Sequence, residues 1–221
     1  MVPRRDAGAP SHSASLRGRD MGLPLYGWTM PPVLETVFGD GVEIREVRDT
    51  ERAAAGDATS RAYREFAPPG PSQFDEYLLR IADIAARSER AVVLVALHRG
   101  IVAGSVTLEI DHRFEHDSTE PLAPDEAHMR MLGVAPEHRG LGIARRLVVA
   151  SAELAAQRGR TRLTLDTTAQ MAFAQALYAS LGFRRDGVRH TRSGIELLHY
   201  QATIPLEASA APAATAGGRG W

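Results

Sequence analysis

The sequence has no cysteine among its 221 residues, which excludes disulfides, thiolate metal sites and a cysteine nucleophile. Long apolar stretches are also missing. The longest apolar run, residues 91–97, is far shorter than the ~20 residues that a membrane-spanning helix needs, so we expect no membrane partner. The sequence also lacks an excess of charge of either sign, because its formal net charge is −1. Without an overall basic field, we expect no nucleic-acid partner.

What is present is a globular composition, with 44% hydrophobic and 24% charged residues. Residues 1–32 are rich in Pro, Gly, Ser and Arg and lack periodicity. We therefore expect a mostly disordered leader, with either Met1 or Met21 as the true start. Residues 207–221 form an Ala- and Gly-rich tail that we also expect to be disordered. The leader shows no apolar export signal, which favours a cytoplasmic location.

The most informative segment is residues 131–144, which read MLGVAPEHRGLGIA. The pattern predicts a strand, a proline-bearing loop and a glycine-rich turn that opens a helix. Gly140 and Gly142 allow backbone angles that other residues resist, and they let a ligand approach the backbone closely. The unbonded N–H groups at the helix start and the nearby Arg139 favour an anion. The segment therefore predicts a pyrophosphate site.

Three phosphate-binding patterns compete for this segment. A Walker loop is excluded because no Gly-Lys-Ser/Thr follows the glycines. The dinucleotide pattern G-x-G-x-x-G fails because Arg145 occupies the place of the third glycine and residues 135–139 separate the strand from the first. The pattern that fits is R-x-x-G-x-A, which Arg139, Gly142 and Ala144 satisfy.

A second motif, ALYASLGF, occupies residues 176–183. It predicts the end of a helix, with Gly182 as the cap residue and Phe183 opening the next strand. Tyr178 in this motif is either a core aromatic or a functional residue. Its position downstream of the anion-binding loop favours the functional interpretation.

Together the two motifs resemble the GNAT superfamily of N-acetyltransferases, over residues 42–204. The resemblance implies an α/β (α+β) domain with a mixed central sheet of about six to seven strands, about four flanking helices and splayed central strands. It also implies a bacterial enzyme that uses acetyl-CoA and no metal. The acceptor would be a primary amine, on a small molecule or on a peptide or protein N-terminus, that attacks directly in a ternary complex.

The resemblance assigns site residues by position. The backbone of Leu132, Gly133 and Val134 would pair with the pantetheine arm of the coenzyme. Tyr178 would be the general acid that protonates the sulfur. Met171 stands where many family members have an asparagine that bonds the pantetheine. The pyrophosphate would lie on Arg139, Gly140, Leu141, Gly142, Ile143, Ala144 and Arg145.

The identity of the general base is left open. An alkyl ammonium has a pKa near ~10.4, so a base or a water chain must accept its proton. The segment AHMRMLGV resembles a family segment whose histidine is a proposed base, and His128 occupies that place. Glu126 is the runner-up, and Glu109 is a further candidate. Arg130 either binds a substrate carboxylate or pairs with an acid.

Two other functions stay open on the sequence. A non-catalytic acyl-CoA-binding or sensing module would keep the loop and lose turnover. A nucleotide-binding oxidoreductase rests only on the fragment Gly140-Leu141-Gly142. The remaining histidines, among them His98 and His199, are interpreted as surface or loop residues. We expect a monomer or a homodimer.

Overall fold

The structure describes most of residues 42–204, the region of family resemblance. The expected leader, residues 1–32, and the expected tail, residues 207–221, lie outside the described residues. The computed structural model describes residues 35–68, 70, 73–111, 121–191 and 194–206.

The described residues contain one mixed sheet of eight strands. The strands are β1 (Glu35–Val37), β2 (Val42–Glu46), β3 (Val92–His98), β4 (Ile101–Glu109), β5 (Glu126–Val134), β6 (Arg162–Thr167), β7 (Arg184–His190) and β8 (Glu196–Thr203). Their spatial order is β1-β2-β3-β4-β5-β6-β8-β7. All neighbours are antiparallel except β5 and β6, which run parallel. The predicted mixed sheet is confirmed, with eight strands in place of six to seven.

Two of the strands have no clear sequence pattern, which is why the strand count was too low. β1 is three residues long, too short to show an alternating pattern. β7 reads RRDGVRH and is exposed along nearly its whole length, so it lacks the alternation by which a half-buried strand is recognised. It lies at the edge of the sheet, where charged side chains discourage pairing with another chain.

Within the described residues five α-helices accompany the sheet, where about four were predicted. They are α1 (Arg52–Arg64), α2 (Gln73–Ala82), α3 (Ile84–Ser88), α4 (Ile143–Gln157) and α5 (Ala172–Ser180). An apolar stripe that runs from Phe74 to Ile84 predicts one helix over residues 73–87. That prediction is wrong, because the backbone leaves the helical region at Asp83. The Asp83 carboxylate accepts a hydrogen bond of 3.0 Å from the backbone N–H of Ala86, so Asp83 caps the N-terminus of α3. Helix α3 also contacts β4, because the buried Arg87 donates a hydrogen bond to the Thr107 hydroxyl.

The two faces of the sheet differ in character. Alternate strand residues such as Leu108, Met129 and Leu165 form the main apolar core with residues of α4. The opposite face holds a smaller apolar cluster that includes Ala55 of α1 and Ile84 of α3. Further along that second face, the buried side chains are polar. They include Thr107, Glu109, Glu126, His128, Thr164 and His199.

The central strands β5 and β6 separate at one point. Their pairing ends at Met129 and Leu165, although β5 continues to Val134 and β6 to Thr167. On its other side β5 keeps its partner β4 through a register shift, and Met131 at this shift has a φ of +53°. Residues 130–134 therefore have no partner in β6, and the predicted splay of the central strands is confirmed.

Helix α1 approaches its neighbours closely enough to require glycine. A Cβ atom on Gly133 would lie 3.1 Å from Cα of Thr59 in α1, and one on Gly56 would lie 2.1 Å from the carbonyl oxygen of Ala82 in α2. Gly56 is therefore the contact at which α1 and α2 cross. The position has no room for a methyl group unless the backbone moves.

We expect Gly56→Ala to destabilise the fold by about 1–3 kcal/mol, the typical range for overpacking. This sign is informative because alanine in an ordinary helix interior is favoured over glycine by roughly 0.5–1 kcal/mol. The matched control is Gly39→Ala, where a Cβ would meet nothing within 4 Å and the effect should stay within about 0.5 kcal/mol. Urea unfolding midpoints measure both variants. A stabilised Gly56→Ala protein would contradict the helix crossing described above.

Candidate active site

The glycine-rich loop has the backbone geometry that its sequence requires. A short 3-10 helix, Pro136–His138, follows β5, and Gly142 is the N-cap residue of α4. Gly140 and Gly142 have φ angles of +78° and +69°, in the left-handed region that side chains with a Cβ resist. A Cβ at either glycine would meet nothing within 4 Å. The backbone angle, rather than crowding within the protein, therefore requires glycine here.

The loop encloses a cavity of about 210 Å³ at the start of α4. Seven of the residues predicted to bind the coenzyme line it, whereas Leu132, Gly133 and Leu141 do not. From the opposite side Leu177 of α5 contributes an apolar wall. The lining residues are Val134, His138, Arg139, Gly140, Gly142, Ile143, Ala144, Arg145 and Leu177. The two sequence motifs therefore meet at one cavity.

Arg139, the predicted cation of the loop, has an acidic partner at the C-terminal end of helix α1. The Arg139 guanidinium forms two hydrogen bonds of 2.9 Å each with the carboxylate of Glu65. One turn earlier in α1, Arg61 contacts Glu137 at 2.8 Å. Both pairs are about half exposed, so each contributes little to stability. Their effect is on the loop itself, because the Arg139 guanidinium already binds the Glu65 carboxylate before any ligand is present.

Tyr178 is buried between two aromatic side chains. Its ring centroid lies 5.8 Å from that of Phe183 and 6.2 Å from that of Tyr200. Burial raises the pKa of Tyr178 above its usual value, so the hydroxyl stays protonated at neutral pH and can act as a proton donor. Burial also raises the pKa of Tyr63 in α1, and the nearby Tyr77 and Tyr178 raise it further. The Tyr63 phenol is therefore close enough to Tyr77 and Tyr178 for their charges to affect its pKa.

The two predicted base candidates form one hydrogen-bonded unit. Thr164 of β6 donates a hydrogen bond of 2.6 Å to the Glu126 carboxylate, and its oxygen lies 2.8 Å from Nδ1 of His128. Because the single hydroxyl proton of Thr164 goes to Glu126, we assign the Nδ1 proton to His128 as the donor in the second bond. Nε2 is then the basic nitrogen of His128. Glu126 acts on His128 through Thr164 and does not compete with it.

Glu109, the third candidate for the general base, has a different set of contacts. Glu109 is fully buried and forms an ion pair of 3.1 Å with Arg130. Of the two interpretations of Arg130, the structure therefore contains the pair with an acid. Register explains this contact, since Glu109 and Arg130 lie on adjacent strands and on the same face of the sheet.

Besides Thr164, the sequence analysis missed three further residues around this site. Asp166 lies with its carboxylate 3.7 Å from Nε2 of His128. His199 of β8 lies 2.7 Å from the other carboxylate oxygen, and Arg189 of β7 contacts His199 at 3.3 Å. The interpretation of His199 as a surface or loop residue is wrong, because it is a buried strand residue opposite Asp166. The alternation R-L-T-L-D-T in β6 is the sequence signal that places Thr164 and Asp166 on one face.

Metal and membrane sites were not expected from the sequence. Across the described ranges there is no group of three or more His, Cys, Asp or Glu side chains that could hold a metal ion. His98 and His138 lie with their Nδ1 atoms 3.3 Å apart. His112 and His116, which have H-x-x-x-H spacing, lie outside the described residues. No helix in the described part of the chain combines the length and the apolar character of a membrane span.

The sequence model of the acetyltransferase (GNAT) family matches residues 57–183 of the chain. This range includes the glycine-rich loop, the polar unit around His128 and Tyr178. No curated protein sequence matches the chain.

Several solved acetyltransferase structures are similar to the fold. Ribosomal-protein-S18-alanine N-acetyltransferase from Escherichia coli has a TM-score of 0.53 and 22% identity, over 74% of this chain and 94% of that one. PaiA N-acetyltransferase from Thermoplasma acidophilum, solved with coenzyme A, has a TM-score of 0.58 and 13% identity, over 73% and 98%. The yncA protein of Salmonella typhimurium, solved with its cofactor acetyl-CoA, has a TM-score of 0.54 and 22% identity, over 78% and 98%. At these identities the likeness shows the fold.

The left-handed conformation of Gly142 generates a prediction about stability. Gly142→Ala should lower the free energy of unfolding by about 1–2 kcal/mol, because a Cβ is disfavoured in this conformation. Gly142→Asn should cost less, since asparagine tolerates left-handed angles. Thermal unfolding of the three proteins without ligand measures the order Gly, Asn, Ala. Equal stability of the alanine and glycine proteins would contradict the geometry of the loop.

Proposed function

We propose that this chain, which belongs to the GNAT family of acetyltransferases, transfers an acetyl group from acetyl-CoA to a primary amine. The observation that carries the proposal is the meeting of three features at one place. The strands β5 and β6 separate after Met129, and the cavity at the glycine-rich loop lies at the end of β5. Leu177, the residue before the buried Tyr178, lines that cavity.

The chain has the groups that coenzyme A requires. The diphosphate would lie on the backbone N–H groups that open α4, where a helix start attracts anions, with Arg139 and Arg145 at the rim of the cavity. Gly140 and Gly142 leave the space above the loop open. The pantetheine arm would run along the unpaired edge of residues 130–134, where its amides meet backbone groups as an added strand does. When bound, acetyl-CoA supplies the thioester carbonyl that the amine attacks.

The side chains supply the two proton transfers. An acceptor ammonium must lose a proton before its nitrogen can attack. In our proposal Nε2 of His128 takes this proton, with Thr164 and Glu126 fixing the ring from the other side. Tyr178 gives a proton to the departing sulfur. Because its pKa is raised, the hydroxyl is protonated at neutral pH and is available as a proton donor.

Two classes of acceptor fit the proposal. The similar Escherichia coli enzyme acts on the alanine of ribosomal protein S18, so a peptide N-terminus is one class and a small-molecule amine is the other. In our proposal the aromatic pair Tyr63 and Tyr77, with ring centroids 6.0 Å apart, contacts the body of either acceptor. We also propose that the protein acts in the bacterial cytoplasm, as a monomer or a homodimer.

A second candidate function is an acyl-CoA-binding module without turnover. One observation favours it: Met171 caps the start of α5 at the position where many family members have an asparagine. A thioether is a weak acceptor and offers no N–H donor to the pantetheine. The coenzyme contact at this position is therefore reduced.

One experiment separates the two functions. The protein is incubated with acetyl-CoA and a panel of amines and peptides, and free thiol is measured over time. Thermal stabilisation by acetyl-CoA is measured in parallel, because a ligand that binds only the folded state raises its stability. Stabilisation with amine-dependent thiol release supports the enzyme, and stabilisation without release on any acceptor supports the module. Absence of stabilisation contradicts both.

We expect Tyr178→Phe to slow the chemical step on the order of a hundredfold and to leave coenzyme affinity unchanged, because only a hydroxyl is lost. The matched control is Tyr200→Phe, which removes a hydroxyl from the neighbouring ring that instead bonds Gln175 at 3.3 Å. Single-turnover rates and coenzyme dissociation constants measure both. A wild-type single-turnover rate in Tyr178→Phe would leave Tyr178 as a core aromatic.

We expect Glu65→Gln to tighten coenzyme binding by up to about fivefold at low salt, because Arg139 is then no longer held by a carboxylate. The gain should shrink as salt screens the charges. Glu137→Gln is the control, since it removes an acid next to the same loop whose partner is Arg61 and not Arg139. Calorimetric titration with coenzyme A at two ionic strengths measures the effect. Weaker binding in Glu65→Gln would mean that Arg139 does not contact the diphosphate.

A further inference from the structure

A line of buried polar side chains runs across three strands beside the candidate base. The register of β5, β6 and β8 sets His128 opposite Thr164 and Asp166 opposite His199. His128 and His199 are both buried. They lie on either side of the Asp166 carboxylate, each within reach of a different oxygen.

The hydrogen bonds fix the proton on His199. An arginine side chain has donors and no acceptor, so Nη2 of Arg189, 3.3 Å from Nε2 of His199, must be the donor in that contact. Nε2 is therefore the acceptor, and the ring proton lies on Nδ1. Nδ1 then donates to Oδ1 of Asp166 at 2.7 Å. His199 is accordingly a neutral donor whose tautomer is set by Arg189.

The same contacts keep Asp166 ionised. Burial raises the pKa of Asp166, but the hydrogen bond from His199 and the electrostatic interactions with the neighbouring His128, His199 and Arg189 side chains outweigh it, so the pKa lies below its usual value. One oxygen is occupied by His199. The other, Oδ2, lies 3.7 Å from Nε2 of His128, the nitrogen that carries no proton in the neutral ring.

The other charged groups near His128 occur as pairs of opposite sign. Glu126 has Arg162 at 3.7 Å, and Glu109 has Arg130 at 3.1 Å. In each of these pairs an arginine partly offsets the charge of the carboxylate. Asp166 faces Nε2 of His128 directly, with Oδ2 at 3.7 Å. A positive charge on His128 would therefore be stabilised by the Asp166 carboxylate.

We propose that Asp166 is the counter-ion that stabilises His128 after it takes the proton of the acceptor amine, and that His199, set by Arg189, is a positioning residue for Asp166. This rests on the proposed acetyl transfer with His128 as base. The ammonium N–H bond breaks, its proton joins Nε2, the electron pair stays on the amine nitrogen, and Asp166 remains a carboxylate throughout. The arrangement differs from a Ser-His-Asp triad, in which the aspartate holds the nitrogen opposite the basic one, because Asp166 faces the nitrogen that takes the proton.

The first test uses the protein without substrates. Nitrogen-15 NMR of the imidazoles reports the tautomer and the titration of each histidine. We expect His199 to carry a proton on Nδ1, from which it donates to Asp166. We expect Asp166→Asn to lower the titration midpoint of His128 by about one pH unit, because an opposite charge is removed. A His199 ring without a proton on Nδ1, or an unmoved midpoint for His128, would overturn the proposal whether or not the protein is an enzyme.

The second test uses pH–rate profiles of kcat/KM. Asp166→Asn should move the acid limb to lower pH by about one unit and reduce the plateau by about tenfold or more. His199→Leu should change the profile in the same direction, and His199→Gln, which keeps an N–H donor, should restore most of it. Arg185→Gln, an exposed position on the same strand as Arg189, is the control. A lower rate with an unmoved acid limb in His199→Leu would mean that His199 only supports the fold.

The two tests separate the inference from the function. If NMR shows the coupling of Asp166 and His128 but no amine gives thiol release, the proposed function fails and the counter-ion pair stands. If acetyl transfer is measured but Asp166→Asn leaves the His128 titration and the acid limb unchanged, the function stands and the proposed role of Asp166 fails.

Discussion

The site depends on the point at which two parallel strands stop pairing. As long as β5 and β6 are joined, up to Met129 and Leu165, each backbone group between them is satisfied and the sheet is closed to ligands. Beyond that pair the strands separate, and β5 keeps its place because β4 still holds it on the other side through a shifted register. The result is a backbone edge that lies inside the protein. An unpaired edge normally invites pairing with another chain, and here it is the edge along which we propose that an extended ligand binds.

The same register decides which chemistry lies at the opening. Strand side chains alternate between faces, so one face of β5 and β6 carries Met129 and Leu165 into the apolar core while the other carries His128 and Thr164. A shift of one residue in either strand would bury the polar set in the core and expose the apolar set. The polar side chains are tolerated beside the core because each has a partner on the adjacent strand, and a hydrogen-bonded polar group loses little on burial. The separation of β5 and β6 and the row of buried polar side chains are thus both consequences of how these two strands pair.

Sequence reasoning succeeded where the determinants are local. The glycine-rich loop was predictable because its left-handed angles need glycine at two positions a fixed distance from a helix start, and Gly140 and Gly142 satisfy this within a few residues. It failed where distant segments meet. Glu65 contacts Arg139 from a helix far away in the chain, and His199 reaches Asp166 only through the strand order β6-β8-β7. The break at Asp83 was missed because an apolar stripe continues across it and the cap depends on one side-chain hydrogen bond.

Helix α1 links the two halves of the site. Within about one turn it presents Arg61 and Glu65 to the loop and Tyr63 to the aromatic side of the opening. Gly133 lets this helix lie against the splayed strand, since a Cβ there would come within 3.2 Å of Ala62. The position of the helix is therefore set by strand β5 beneath it, and the charges at the loop and the phenol at the opening are carried by one rigid element. Glu65, which pairs with Arg139, and Tyr63 of the aromatic pair therefore lie within one turn at the end of α1, so a shift of this end of the helix would move both side chains.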